Sequence, residues 1–410
     1  MDANATTPLV PEVFEAMRPF FMEHYGNASS IHQQGQHARA AVDQARDSIA
    51  RLLRCRASEI VFTSGGTESD NLALFGVLQS TLAHTGAKPH LITTAIEHHA
   101  VLHAAEALEK QGVEVTFLPC TAEGLIEPEA LKSALRPNTR LVSVMFSNNE
   151  TGVIQPIAEL AAIARQAGAL FHTDAVQAAA KLPLDLSPKG PLKDVDLATI
   201  SGHKIHAPKG IGALFVRRSV RLAPMMHGGM HERQRRAGTE NVAGIVGLGK
   251  AAELAQQWLA KGEPGAPRPD SGTWVSTSPA NLAALRDRLE QGILAQVEEA
   301  GVNGAAAPRV ANTANLYFDH VEAEALVIAL DLKGLSVSGG SACQSGATEP
   351  SHVLTAMGLT PARARASIRF SLSRLTTEEE VNEAIALVPA AVARLRELSP
   401  TYKPTLAATP

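Results

Sequence analysis

Aromatic residues are scarce in this chain, at 4% of its 410 positions, and it holds only three cysteines, Cys55, Cys120 and Cys343. Three scattered cysteines cannot build a disulfide framework, and no CxxC pair is present for a zinc site, so any cysteine chemistry is that of a single thiol. No run of about 18 uninterrupted apolar residues occurs, which argues against a membrane-spanning helix. The opening residues, Met1, Asp2, Ala3 and Asn4, lack the basic and apolar regions of a secretion signal, and the expected compartment is the cytosol. An excess of one charge is also missing. With 37 Lys and Arg against 41 Asp and Glu, the net charge of −4 gives no general electrostatic reason to bind nucleic acid or an anionic membrane. What is present is ordinary globular composition, 45% hydrophobic and 19% charged, which excludes wholesale disorder and a coiled-coil fibre. The length allows about two to three structural units.

From residue 58 to 217, short β-rich apolar runs alternate with helical patterns. The expected strands are Ile60 to Thr63, Pro89 to Thr94, Val113 to Leu118, Leu141 to Phe146, Ala169 to His172, Val195 to Ile200 and Gly212 to Val216. A helix is expected over Glu68 to Leu78, where Leu72, Phe75 and Leu78 recur at helical spacing. Most connections are long enough for a crossover helix, which predicts an α/β fold with a mainly parallel seven-stranded sheet. Residues 261–280, rich in Gly, Pro, Ser and Thr, read as a linker. They separate a large domain, 1–260, from a smaller α+β domain, 281–399, and 400–410 form a tail. In the smaller domain the expected elements are a helix from Leu282 to Val297, a strand from Ala314 to Phe318 and a helix from Glu322 to Leu332. A strand from Ser367 to Leu372 and a helix from Thr377 to Leu395 follow.

Loops at the carboxyl ends of parallel strands are where such sheets bind ligands. Ile200 to Gly212, ISGHKIHAPKGIG, is such a loop, and Lys204 in it could form a Schiff base with a carbonyl cofactor. Asp174 follows another strand; it either caps the next helix or pairs with a pyridinium nitrogen. Thr63 to Asn71, TSGGTESDN, is a Gly-rich turn into a helix that could cradle a phosphate, and it lacks the GK[ST] of a nucleotide-binding P-loop. Alternation along Ser367 to Leu372 puts Arg369 opposite the apolar Ile368 and Phe370, suited to a bidentate carboxylate bond. Cys343 sits in GGSACQSG without large apolar neighbours, as an exposed nucleophile would, whereas Cys55 and Cys120 have structural contexts. His99 and His103 stand at i and i+4, but HExxH lacks its glutamate here and no third ligand is evident, so no metal is expected.

SGGTESDN, the EHHAV at Glu97 to Val101, SNNETG at Ser147 to Gly152, HTDAVQ, SGHK, RRAGTEN at Arg235 to Asn241 and GGSACQSG occur in the order seen in cysteine desulfurases. The chain resembles the NifS/IscS-type, group I members of the fold-type I, class V pyridoxal 5'-phosphate enzymes, from ATTP at Ala5 to SIRFSLSR ending at Arg374. The resemblance implies that Lys204 holds the cofactor, Asp174 pairs with its ring nitrogen and Gln177 bonds its ring hydroxyl. It further implies that His98 stacks on the ring and serves in acid–base steps. Gly66, Thr67, Ser201 and His203 would bind the phosphate, and Thr239 would reach the phosphate of a neighbouring subunit. Asn149, Arg369 and Asn4 would hold the substrate, and the N-terminal segment 1–20 would pack with the small domain. Relative to the family, 261–280 looks like an insertion.

The implied reaction takes L-cysteine to L-alanine and leaves the sulfur on Cys343 as a persulfide. The implied partners are a second copy of the chain and a sulfur-accepting protein, such as an iron–sulfur scaffold or a thiouridylase-type acceptor. Two alternatives share much of this pattern: another PLP enzyme of the same fold, a selenocysteine lyase or an aminotransferase, and a non-catalytic sulfur-transfer scaffold.

Overall fold

The structure, a computed structural model, describes residues 1–85, 88–261, 278–339, 349–400 and 402. Residues 262–277 of the expected linker, 401 and 403–410 of the tail, and Cys343 lie outside the described residues. Seven strands form the first sheet: β1 (Ile60–Thr63), β2 (His90–Thr94), β3 (Glu114–Leu118), β4 (Thr139–Ser143), β5 (Leu170–Asp174), β6 (Leu197–Ser201) and β7 (Gly212–Val216). Their order is β1-β7-β6-β5-β4-β2-β3. Alternate residues point to opposite faces. Phe62, Ile92, Val142, Phe171 and Phe215 therefore join one apolar cluster with the helices Gln33–Leu52 and Val242–Ala260. Val61, Leu91, Leu141, Leu197 and Leu214 join another, with the helices Gly66–Thr85 and His99–Lys110. Burial on both faces is what the near-continuous apolar runs of the sequence require.

The sheet is mainly parallel, and β7 is the exception, antiparallel to both β1 and β6. Residues 202–211 between β6 and β7 contain only the single 3-10 turn Gly202–Lys204, and a parallel return would need a full crossover. Gly66, not Glu68, starts the first helix of this unit. β4 ends at Ser143, short of the expected Phe146.

The second sheet has the order β10-β11-β9-β8, from β8 (Ala300–Val302), β9 (Thr313–Phe318), β10 (Ser338–Gly339) and β11 (Ser367–Ser371), all antiparallel. Leu316, Phe318, Ile368 and Phe370 pack there against the helices Pro279–Leu294 and Glu378–Leu398. The first residues of the chain tie the two sheets together. Ser371 N–H donates to the Met1 carbonyl and Ala3 N–H to the Ser371 carbonyl, so Asp2 bridges to β11. The Thr7 N–H and hydroxyl then both donate to the His203 carbonyl, beside β6. Farther on, Pro11–Met17 packs against Val242–Ala260, on the side of the first sheet.

Candidate active site

A cavity of about 350 Å³ lies where the carboxyl ends of β5 and β6 meet the start of the helix Gly66–Thr85 and β11. That is within the usual size of a small-molecule site. Its walls include Asn4, Gly66, Thr67, His98, Asn149, Asp174, Gln177, Ser201, His203, Lys204 and Arg369. Residues separated by up to most of the chain length are thus brought to one place. Thr239 is not among them: it is exposed, in the loop after His231–Gln234.

Each side chain is set by its local structure. Gly202 turns the chain directly after β6; a Cβ there would come 2.8 Å from the Ile211 side chain and 3.0 Å from its carbonyl oxygen. The turn aims the Lys204 amine at the carbonyls of Asn4 and Ala5, the second at 2.8 Å. Asp174 closes β5, and its Oδ1 accepts from Val176 N–H at 2.9 Å, so it caps its own turn while lining the cavity. Burial raises the Asp174 carboxyl to about 6, partly offset by that N–H and by the Lys204 charge. A cationic ring nitrogen placed there would favour the ionised form again.

Gly66 opens its helix against Ser201, and a Cβ on it would lie 3.0 Å from Val176 Cγ2 and 3.5 Å from Ser201 Cβ. The first N–H groups of the helix have no partners within it and face an anion favourably. His98 caps the helix His99–Lys110, with Nδ1 accepting from Ala100 N–H at 3.1 Å. That bond assigns the proton of the neutral ring to Nε2. Burial, with Lys204 and neighbouring histidines adding to it, lowers His98 to about 4. His203 is likewise lowered to about 4, by burial and by Lys204 and Lys209.

Arg369, on β11, is 3% exposed. One guanidinium nitrogen donates to the Asn149 carbonyl at 3.0 Å and another to Asp2 Oδ1 at 2.9 Å. Its Nε and the Asn149 Oδ1 are buried and have no hydrogen-bond partner among the described residues. An unpaired buried polar atom is costly, and here both belong to residues lining one cavity, where a polar ligand can satisfy them.

Sequence reasoning missed several residues of the site. Asp70 also lines the cavity, on the helix Gly66–Thr85, with Oδ1 3.6 Å from His172 Nε2. Burial and the nearby Asp174 raise the Asp70 carboxyl well above the usual range. Asp2 and Lys181 were missed as well, although Lys181 stands four residues after Gln177. Arg236 of RRAGTEN pairs in bidentate fashion with Glu68 at 2.8 and 3.2 Å, joining that loop to the Gly66 turn. His99 and His103 stack with ring centres 4.9 Å apart, and His352 lies 4.8 Å from His99. Among the described residues no three His, Cys, Asp or Glu side chains are grouped to hold a metal ion.

The class V aminotransferase family model matches residues 1–263 and 273–383. The chain belongs to that family. Its members use pyridoxal 5'-phosphate, and so does this protein. Among its relatives, cysteine desulfurase 2 of Trichormus variabilis is 48% identical over 400 residues, 98% of this chain and 94% of the relative. A solved NifS-like protein superposes with a TM-score of 0.84 at 34% identity, covering 96% of this chain and 98% of the other. The solved SspA in complex with cysteine has a TM-score of 0.76 at 35% identity, covering 92% and 99%. The residues fit the cofactor: an amine for its aldehyde, a carboxylate for its ring nitrogen, and a helix start at a glycine, where a Cβ would be tight against Val176, for its phosphate.

Proposed function

We propose that this chain is a cysteine desulfurase, taking L-cysteine to L-alanine and passing the sulfur to its own Cys343 as a persulfide. The observation that carries the reading is the cavity holding Lys204, Asp174, His98 and Arg369 together. An amine, a ring-nitrogen partner, a proton carrier and a carboxylate clamp are what a PLP enzyme acting on an amino acid needs. Bound pyridoxal phosphate supplies an electron sink for the substrate's α-carbon. Lys204 holds the cofactor, Asp174 keeps its nitrogen protonated and Gln177 meets its ring oxygen. Gly66, Thr67, Ser201 and His203 receive its phosphate. His98 exchanges protons through Nε2. Asn4, Asn149 and Arg369 hold the substrate. Sulfur transfer forms a bond between the Cys343 thiolate and the substrate sulfur while the carbon–sulfur bond breaks and its electron pair returns to the carbon side. The overall balance is cysteine plus enzyme thiol giving alanine plus enzyme persulfide. The test is incubation of the holoenzyme with L-cysteine and a thiol reductant, assaying both products; equal alanine and sulfide is the expected result, and neither product would overturn the reading.

Arg369 has unused hydrogen-bonding capacity in its fork, and a guanidinium held by Asp2 and the Asn149 carbonyl is already oriented. Arg369→Ala is expected to raise the KM for L-cysteine about 10²-fold, about 2–3 kcal/mol of lost charge-assisted bonding, with cofactor content unchanged. Initial-rate kinetics beside a cofactor assay read this. An unchanged KM would remove Arg369 from the substrate's path.

The protein works as a homodimer in this reading. Support comes from Thr239, which is exposed and could serve only a second copy's phosphate site. Large apolar side chains are also exposed at Phe14, Phe21, Met22, Tyr25 and Ile31, and at Met225, Met226 and Met230. Glu232, Arg233 and Gln234 next to them in sequence all have positive φ, a costly backbone that surrounding contacts must hold. Sedimentation of the holoenzyme at micromolar concentration is expected to show a dimer. A fully loaded monomer would remove the reason for placing Thr239 in the site. Its compartment is the cytosol, whose reducing conditions keep a lone reactive thiol free, and a sulfur-accepting protein, such as an iron–sulfur scaffold or a thiouridylase-type acceptor, takes the persulfide.

A further inference from the structure

Behind Lys204 a smaller cavity of about 40 Å³ is lined by Lys181, which does not line the main one. The Lys181 amine donates to Gln177 Oε1 at 2.6 Å and to Asn4 Oδ1 at 3.1 Å. A lysine amine in its charged form has donors and no acceptor. Carbonyls, which only accept, settle how the two amides are turned: Gln177 Nε2 faces the Asn4 carbonyl and Asn4 Nδ2 faces that of Asn149, so each amide presents its oxygen to the Lys181 amine. The consequence for Gln177 is that its NH₂ group points the other way. Its Nε2 donates to the Asn4 carbonyl at 3.1 Å, the same oxygen that takes the Lys204 amine. Asn4 is locked in the same manner, with Oδ1 also accepting from Asn312 Nδ2 at 3.0 Å and Nδ2 donating to Thr313 Oγ1 at 2.9 Å and to the Asn149 carbonyl at 3.1 Å.

We propose that Lys181 is a positioning residue that restricts Gln177 to a hydrogen-bond donor toward the cofactor's ring oxygen. The proposal rests on the reading above, in which the cofactor is attached to Lys204 and Gln177 meets its ring. A donor stabilises the ionised oxygen over the protonated one, so fixing the amide lowers the pH at which the bound cofactor loses its proton. Burial, with Lys204 and Arg369 close by, holds the Lys181 amine itself well below the ordinary lysine range. A neutral amine keeps two N–H donors, enough for the bonds to Gln177 Oε1 and Asn4 Oδ1, whose orientations the carbonyls of Asn4 and Asn149 fix independently.

The experiment is a pH titration of the absorption of the bound cofactor, read without turnover in wild type, Lys181→Met, Gln177→Leu and the double variant. Lys181→Met is expected to raise the midpoint by about one unit, a tenfold change in proton affinity. In the Gln177→Leu background the same substitution is expected to move it by less than about a third of that, because the amide it orients is gone. An unmoved midpoint in Lys181→Met would overturn the proposal. So would an equally large shift in both backgrounds, which would mean that Lys181 acts by its charge through space. If Lys181→Met does not fold, Lys181→Arg keeps the donors and is expected to leave the midpoint in place, and a shift as large as that of Gln177→Leu overturns the proposal. Failure of the underlying reading looks different: borohydride would then tie no cofactor to Lys204 in the wild type.

Discussion

Lys204→Ala is expected to abolish the covalently held cofactor and to lower desulfurase activity by at least about 10³-fold, the upper part of the range that a single proton-transferring group contributes. Lys204 is the lysine that the turn after β6 delivers into the main cavity, beside Asp174. Lys209 is the nearest rival in sequence, five residues on, and does not line that cavity. Lys181 is close to Lys204 but faces the smaller space behind it. Treating the holoenzyme with borohydride and mapping the labelled peptide separates the three. The label is expected on Lys204 in the wild type and on no lysine in the variant. A stable adduct on Lys209 or Lys181 in Lys204→Ala, with activity kept, would overturn the assignment. Because the variant loses the amine but keeps the turn at Gly66 and Thr67 that is proposed to receive the phosphate, it is expected still to bind the cofactor reversibly.

Cys343→Ala is expected to separate the two halves of the reaction. Cofactor binding and the spectral response to L-cysteine should persist, since the proposed mechanism gives those steps to Lys204, Asp174, His98 and Arg369. Persulfide formation and sulfide release should fall to background, because no group remains to attack the substrate sulfur. Cys55 and Cys120 are not expected to substitute. Burial pushes the Cys55 thiol up to about 12 and raises that of Cys120, so neither is an available thiolate near neutral pH. Mass spectrometry of the wild type after brief exposure to L-cysteine gives an independent measure: one added sulfur on the Cys343 peptide, removed by a reducing thiol. A Cys343→Ala enzyme that releases alanine and sulfide at the wild-type rate would sink the covalent route and point to direct elimination.

Much of this protein could be read before any coordinates. The runs IVFT and GALFV are strands because they are apolar, β-prone and bounded by turns, and both bounds were legible to the residue. The loop position of Lys204 and the β11 position of Arg369 followed from the same local rules. Tertiary structure alone decided which direction β7 runs, since direction depends on what the 202–211 connection can span rather than on the strand's own residues. It also decided the partners of the site. Asn4 meets Gln177, Lys181, Asn312 and Thr313, and Asp2 meets Arg369, across separations of 173 to 367 residues for the bonds that join them. No periodicity or spacing carries such pairings, because each is made by two sheets docking through the first residues of the chain. Residue chemistry and local propensity are properties of short segments, so the sequence by itself determined the strands of the first sheet and the kind of cofactor, and it singled out Lys204 as the candidate amine; the short β8 and β10 were not legible in it. Which carboxamide faces which amine is a property of packing, and only the folded arrangement determines it.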